Sequence, residues 1–382
     1  NAEPDRIGAK LVNHQPLPSI QFILFGIFGF FTGEGKRAVS WPFSDPPNMF
    51  CSSFNIFGEE TIMAVQGDIQ VIAIEEHYLD AEVDGLMGDG HNPFRARLSD
   101  LSDVRIKEMD AAGIDIQVLS HCPPGAQAFG AEAGVALATA VNDRLAEFVK
   151  TKPDRFSAFA TLPTPDAKAS ADELERCVKT HGFKGAMVHG LTELTFIDDK
   201  RFWPIFERAE ALDVPIYVHP APPHPTLVDI YLKDYAEEYP QILGPGWGFT
   251  METATAGLRL VLSGVFKKYP KLKIILGHMG EGLPFLLWRI NHTMTKMGAP
   301  GFEPLPFKEI FCEHFHVTTS GNFSDAALLC SVMEMGADRI LFSVDWPYIE
   351  NAPGTAWMEQ VPLGREDRIK LLNGNARKLL KM

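Results

Sequence analysis

From about residue 70 onward, short β-branched runs alternate with longer amphipathic stretches all the way to the C-terminus. A chain of this kind must build parallel strands joined by helical crossovers, because parallel neighbours cannot be linked by a tight turn. Eight strands are predicted: Gln70–Glu76, Ile114–Leu119, Phe156–Ala160, Gly185–His189, Pro215–His219, Leu272–Gly277, Phe315–Thr319 and Arg339–Val344. Helical periodicity fills the intervals over Arg97–Ala112, Ala131–Lys150, Ala169–His181, Trp203–Leu212, Met251–Lys268 and Asp325–Met335. A last helix near Glu366–Leu380 completes the set. Eight strands, each followed by a helix, predict a single (β/α)8 barrel of the TIM type over residues 67–382 rather than two domains. A doubly wound sheet would carry a glycine-rich phosphate turn after its first strand, and here that strand ends in Glu75-Glu76-His77. The proline-rich stretch Pro220–Pro225 follows a strand directly and reads as a barrel-top loop.

Residues 1–66 have a different character, with clustered aromatics, several prolines and an apolar run from Ile20 to Phe31. The run is too short for a bilayer, which needs roughly 20 apolar residues. Arg6 and Lys10 before it and Ala38-Val39-Ser40 after it resemble the flanks of a signal peptide, while Met63 stands just ahead of the first strand. The segment is read as an N-terminal extension whose aromatics pack on a neighbour. The formal net charge of −14 argues against nucleic acid and anionic membranes as partners, since like charge repels both. It leaves room for a small anion at a local positive centre such as a metal ion. Five scattered cysteines without a Cys-x-x-Cys make a disulfide framework or thiolate zinc site a poor fit, and a reducing cytoplasm is expected. Cys122, beside His121, is read as a small apolar residue at a strand end in preference to a nucleophile.

The chemistry-bearing residues fall at the C-terminal ends of the predicted strands, where a barrel builds its site from several strands at once. Strand residues alternate faces, so Glu75 and His77 share one and Glu76 turns away, toward the helix layer and a basic partner. A carboxylate and an imidazole at that spacing can take adjacent positions on one cation. The fifth strand ends in His219 and the eighth in Asp345, an acid costly to bury unless paired, protonated or metal-bound. After the sixth strand, His278 and Glu281 can meet as the chain turns into the next helix. Each alone has a bland structural explanation. Gathered at the mouth of one barrel, they read as a metal site with an acid/base group beside it.

At this point the sequence resembles the amidohydrolase superfamily, and within it the aromatic decarboxylase branch. The resemblance rests on Ile74-Glu75-Glu76-His77, on Met109–Asp115 and on Pro153-Asp154-Arg155-Phe156. It continues through Asp213–Pro220, Ile274–Pro284, Thr318–Phe323 and Ile340–Pro347. It implies that Glu75, His77, His219 and Asp345 bind one divalent ion, zinc or manganese, and that His278 and Glu281 form a hydrogen-bonded chain to Asp345. Oxygen and nitrogen donors suit either metal. Two departures stand out: His189-Gly190 follows the fourth strand where that branch is expected to have Asn-Gly, and the connection on to Phe202 is shorter than usual.

The implied reaction is non-oxidative decarboxylation of a hydroxybenzoate-type acid such as 2,6-dihydroxybenzoate, with Asp345 as the proton donor to the ring and His278 and Glu281 orienting it. His189, Tyr78 and Arg289 are the candidate contacts to the small aromatic carboxylate, with Phe129, Trp247, Phe249, Phe323 and Trp346 as further aromatics near the mouth. His189 either touches a ring substituent or replaces an amide hydrogen bond, and the sequence does not choose. The alternative is a hydrolase or hydratase of the same superfamily using a metal-activated water. A homodimer or homotetramer is implied by the resemblance.

Overall fold

The structure is a computed structural model that describes residues 69–88, 93–297 and 301–382. The N-terminal extension, residues 1–66, falls outside the described residues. Eight parallel strands follow in the expected order. They are β1 Ile72–Tyr78, β2 Ile116–His121, β3 Phe156–Ala158 resuming as Ala160–Thr161, β4 Ala186–His189, β5 Ile216–His219, β6 Ile274–Leu276, β7 Phe315–Thr318 and β8 Ile340–Leu341. Consecutive strands pair side by side. Within β3 the partner changes: Phe159 N–H donates to Leu119 O and Ala160 N–H to Gly185 O, each at 2.9 Å. The ring closes beyond β8, where Asp345 N–H donates to Glu75 O at 3.1 Å and His77 N–H to Trp346 O at 2.7 Å. The closing bonds therefore join the segments that carry three of the four expected ligands.

The helices used below are α1 Asp103–Ala112, α2 Ala131–Thr151, α3 Ala167–Arg176, α4 Trp203–Leu212, α5 Gly248–Ser263, α6 Leu283–Lys296, α7 Phe307–His314, α8 Asp325–Met335 and α9 Asn375–Leu380. In α2, Leu137, Val141 and Leu145 recur every four residues and are buried, the stripe that lays this helix on the sheet. Asp166 starts α3 by accepting the Ala169 N–H at 2.9 Å. Gly113, at φ 70, ends α1 in the left-handed turn that glycine adopts at little cost. Among the described residues no helix is long and apolar enough to cross a membrane.

Two buried layers follow from strand alternation. One lies between strands and helices and includes Val71, Ala73 and Tyr78; the other fills the barrel with Ile72, Ile74, Ile116, Val118, Phe159, Met187, Tyr217, Ile275 and Leu341. Ala376, Leu379 and Leu380 of α9 pack into the second layer. The first strand breaks its own alternation. Ala73 pairs with Gln117 and Glu76 with Leu119, so two residues, Ile74 and Glu75, stand opposite Val118 alone. This bulge lets Ile72 and Ile74 fill the barrel while Glu75 and His77, of the other parity, face its mouth.

Candidate metal centre

Glu75, His77, His219 and Asp345 converge: one ligand atom from each lies within 4.8 Å of all the others. The Glu75 carboxylate lies against Gly277, just past β6, where an added Cβ would sit 2.9 Å from Glu75 Oε2. Glu75 Oε2 accepts hydrogen bonds from the hydroxyls of Tyr217 and Ser320, and from Thr318 at 3.2 Å. Its Oε1 is thereby turned inward and has no hydrogen-bond partner among the described residues. His77 holds its ring through Nδ1, 3.2 Å from Ser120 Oγ, leaving Nε2 3.1 Å from Asp345 Oδ1. His219 Nδ1–H donates to Pro220 O at 2.7 Å, so Nε2 carries the free lone pair. That lone pair faces Glu75 Oε1 at 3.3 Å.

Glu75 Oε1, His77 Nε2 and Asp345 Oδ1 are all buried and have no hydrogen-bond partner among the described residues. Buried polar atoms in folded proteins are almost always satisfied, and two acceptors facing each other repel. A cation among these atoms removes both anomalies. Two carboxylates and two imidazoles are oxygen and nitrogen donors of the kind zinc and manganese take. The residues therefore fit a divalent ion.

The electrostatics agree. Burial raises the Glu75 carboxyl, with Asp345 adding to the effect. Burial holds His219 well below the usual imidazole range, with the charges of His77, His189 and His278 acting in the same direction, so it stays neutral and able to coordinate. Burial also disfavours a charge on His278, yet Glu281, Glu75 and Asp345 around it raise it well above that range. For Asp345, burial is outweighed by His278 and His77, which hold its carboxyl low.

Behind Asp345 runs the expected chain. His278 Nε2 is 3.7 Å from Asp345 Oδ2, its Nδ1 is 2.7 Å from Glu281 Oε1, and Thr250 of α5 donates to Glu281 Oε2 at 2.7 Å. Its backbone has an unexpected form. Residues 278–282 all take positive φ, from 49° at His278 to 77° at Gly282. For L-residues each such position costs roughly 1–2 kcal/mol. The left-handed turn is what folds Glu281 back onto His278.

The structure also shows which expected residues do not meet the cluster. Tyr78, one residue past His77, takes the opposite face of β1 and sits in the outer layer, with Asp80 and Cys122 among its electrostatic neighbours. Arg289 is exposed on α6. Trp346 turns outward beneath the guanidinium of Arg105, 3.8 Å away. His189, by contrast, is buried beside the cluster, its Nδ1 3.2 Å from His219 Nδ1. Burial pushes the Cys122 thiol up to about 12, in keeping with a packing role. Sequence reasoning missed Tyr217, Thr318 and Ser320. Tyr217 had a readable signal, since it lies two residues before His219 and shares its face.

The profile of the amidohydrolase family matches residues 77–382. The γ-resorcylate decarboxylase of a Rhizobium species is 41% identical over 325 residues, covering 81% of this chain and 98% of the relative. The solved structure of a 2,6-dihydroxybenzoate decarboxylase complexed with 2,6-dihydroxybenzoate superposes with a TM-score of 0.74 at 40% identity, over 82% of this chain and 99% of that one. The dihydroxybenzoic acid decarboxylase of a Polaromonas species, solved with manganese and 2-nitroresorcinol, gives a TM-score of 0.74 at 41% identity, over 82% and 97% of the two chains.

Proposed function

This chain belongs to the amidohydrolase family, in its aromatic decarboxylase branch, and from that premise we propose how its residues share the work of the reaction. The protein is a divalent-metal-dependent carboxy-lyase that releases carbon dioxide from a hydroxybenzoate-type acid of the 2,6-dihydroxybenzoate kind. The observation that carries the reading is the convergence of Glu75, His77, His219 and Asp345 with three orphaned buried donor atoms, backed by the His278–Glu281 chain.

When bound, a divalent ion supplies Lewis-acid polarisation and a template for the substrate carboxylate and its ortho oxygen. Glu75, His77 and His219 would hold it, with Asp345 as the fourth ligand. Asp345 also delivers the proton to the ring carbon that bears the carboxylate, and the carbon–carbon bonding pair returns to the ring as carbon dioxide leaves. His278 keeps a proton within 3.7 Å of Asp345 Oδ2 and resupplies it. Glu281 fixes the His278 ring through Nδ1. His189, buried at the end of β4 beside His219, is the side chain assigned to a ring substituent.

The reading extends to residues 67–382 as one catalytic domain after an N-terminal extension, in a cytoplasmic setting. It also includes a homodimer or homotetramer, supported by exposed Tyr231, Tyr235, Tyr239, Trp247, Phe285 and Trp288.

The test is carbon dioxide release from 2,6-dihydroxybenzoate, 2,3-dihydroxybenzoate and salicylate by protein loaded with zinc or manganese. Release is expected to vanish with chelator and to fall by at least about 10²-fold in Asp345→Asn, the usual loss for a positioned proton donor. Near wild-type turnover in Asp345→Asn with metal still bound would overturn the assignment of the acid.

A further inference from the structure

On the outer face of β1 lies a carboxylate that the metal cluster does not use. Glu76 is fully buried, and both of its oxygens meet donors from the segment after β8. Oε1 accepts the Val344 N–H at 2.9 Å and the Ser343 hydroxyl at 3.2 Å. Oε2 accepts the Trp346 N–H at 3.1 Å and Gln117 Nε2 at 3.4 Å. Val344 and Trp346 are the two neighbours of Asp345, so one carboxylate holds the peptide on either side of it. Asp345 itself sits at φ 74, a conformation an L-residue keeps only when its surroundings impose it.

Glu76 is anchored in turn. Gln117 Oε1 accepts from Arg105 Nη1 at 3.0 Å, which links the buried carboxylate to a fully buried guanidinium. Arg105 also donates to the carbonyl of His77 and, at 3.2 Å, to that of Asp100. Its guanidinium lies 3.8 Å over the Trp346 ring, whose indole N–H donates to Glu108 at 2.6 Å. The network therefore touches the backbone of one ligand, His77, and brackets another, Asp345, without reaching the cluster's donor atoms.

We propose that Glu76, held by Gln117 and Arg105, is the positioning residue of Asp345, fixing the peptides around it so that its carboxylate serves both the cation and the reacting carbon. The proposal rests on the reading of Asp345 as the proton donor. Glu76→Gln sets an NH2 group where an acceptor stood, so at most one of the two flanking N–H groups keeps its partner. A displacement of about 1 Å at a reacting group lowers turnover by about 10²-fold, whereas binding contacts made elsewhere are untouched.

The experiment compares wild type, Glu76→Gln and Leu145→Ala, each loaded with manganese. Leu145 is a buried α2 residue chosen as a control for lost stability alone. Four quantities are read: kcat and KM for 2,6-dihydroxybenzoate, manganese affinity, and deuterium uptake into the ring of resorcinol, the product, in D2O. Ring exchange runs through the same proton donor and needs no carboxylate on the substrate. In Glu76→Gln at saturating manganese, kcat and the exchange rate are expected to fall together by about 10- to 100-fold with KM within about threefold of wild type, and manganese affinity falls as well because Asp345 is also a ligand. Leu145→Ala is expected to melt earlier but to exchange normally. Wild-type exchange in Glu76→Gln at saturating manganese would overturn the proposal, as would a loss of kcat that excess manganese fully restores. If wild type itself neither releases carbon dioxide nor exchanges ring hydrogen, it is the decarboxylase reading that fails.

Discussion

Removing one hydroxyl from the oxygen that orients Glu75 should weaken metal binding without disturbing the barrel. Tyr217 is fully buried, its ring part of the barrel filling, 6.0 Å from that of Phe159. Burial and the neighbouring Glu75 raise its hydroxyl well above the ordinary phenol range, so it remains a donor at every working pH. Tyr217→Phe keeps the ring and deletes the donor. A hydrogen bond to a charged acceptor contributes about 1.5–3 kcal/mol. Ser320 and Thr318 still face the same oxygen, which puts the expected loss at the low end, about 1.5 kcal/mol or roughly tenfold in Kd. Partners that orient metal ligands commonly account for about 10- to 100-fold in affinity. The assay is competition for manganese against a chromophoric chelator at fixed pH, followed by activity titrated with added manganese. Turnover at saturating metal is expected within about twofold of wild type. An unchanged Kd, or a loss of turnover that excess manganese does not restore, would refute the claim that the hydroxyl acts by aiming Glu75.

Two further outcomes are expected. Because the cluster leaves buried carboxylate and imidazole atoms unpaired without a cation, stripping the metal should lower the melting temperature. A ligand at 100 times its Kd stabilises by about 2.7 kcal/mol, which corresponds to a fall of roughly 5 °C in differential scanning fluorimetry; identical melting with and without chelator would contradict it. The second concerns Asp80, whose carboxyl burial would raise but which Arg144, at 2.8 Å to each oxygen, and the N–H groups of Glu82 and Val83 hold low. A depressed folded pKa contributes stability that is present above the unfolded value of about 3.9 and lost as pH falls through the folded one. Asp80→Asn should therefore be less stable at neutral pH by on the order of 1–2 kcal/mol, given that Arg144 is partly exposed. The gap should close below about pH 4 in urea titrations; a gap that stays constant to pH 3 would exclude this origin.

The barrel and its ligands were legible in the sequence because both follow from alternation and position. Strand runs show as apolar periodicity, and polar residues at strand C-terminal ends lie at the end of the barrel where sites are built. Shared parity predicted that Glu75 and His77 would act together, opposite Glu76, and the bulge in β1 is what turns that pair to the mouth and Glu76 to the helix layer, where Arg105 is its nearby cation. What was hidden depends on departures from regular backbone. His278, Met279 and Glu281 are not residues that advertise a left-handed turn, so only Gly280 and Gly282 hinted at one. The expected helix over Met251–Lys268 is interrupted at Gly264, which sits at φ 83 between α5 and a short turn of helix at Val265–Lys268. Tyr78 and Arg289 were expected near the substrate from proximity in sequence. The face each occupies, outer layer for one and exposed helix surface for the other, follows from pleat and helix phase.

The extra residue in β1 decides which side chains the barrel presents at its mouth. With unbroken alternation, the side chains following Ile72 and Ile74 into the lumen would be Glu76 and Tyr78, and Glu75 and His77 would point into the helix layer. The same amino acids in the same order would then line the mouth with a carboxylate and a phenol, and two of the four cation ligands would be lost. The placement of the bulge at Ile74 and Glu75, as much as the identity of the residues after it, therefore decides that a cation site forms at this end of the barrel. A substitution that straightened β1 there would leave Ile72 packed in the barrel and turn both ligands away from the cation.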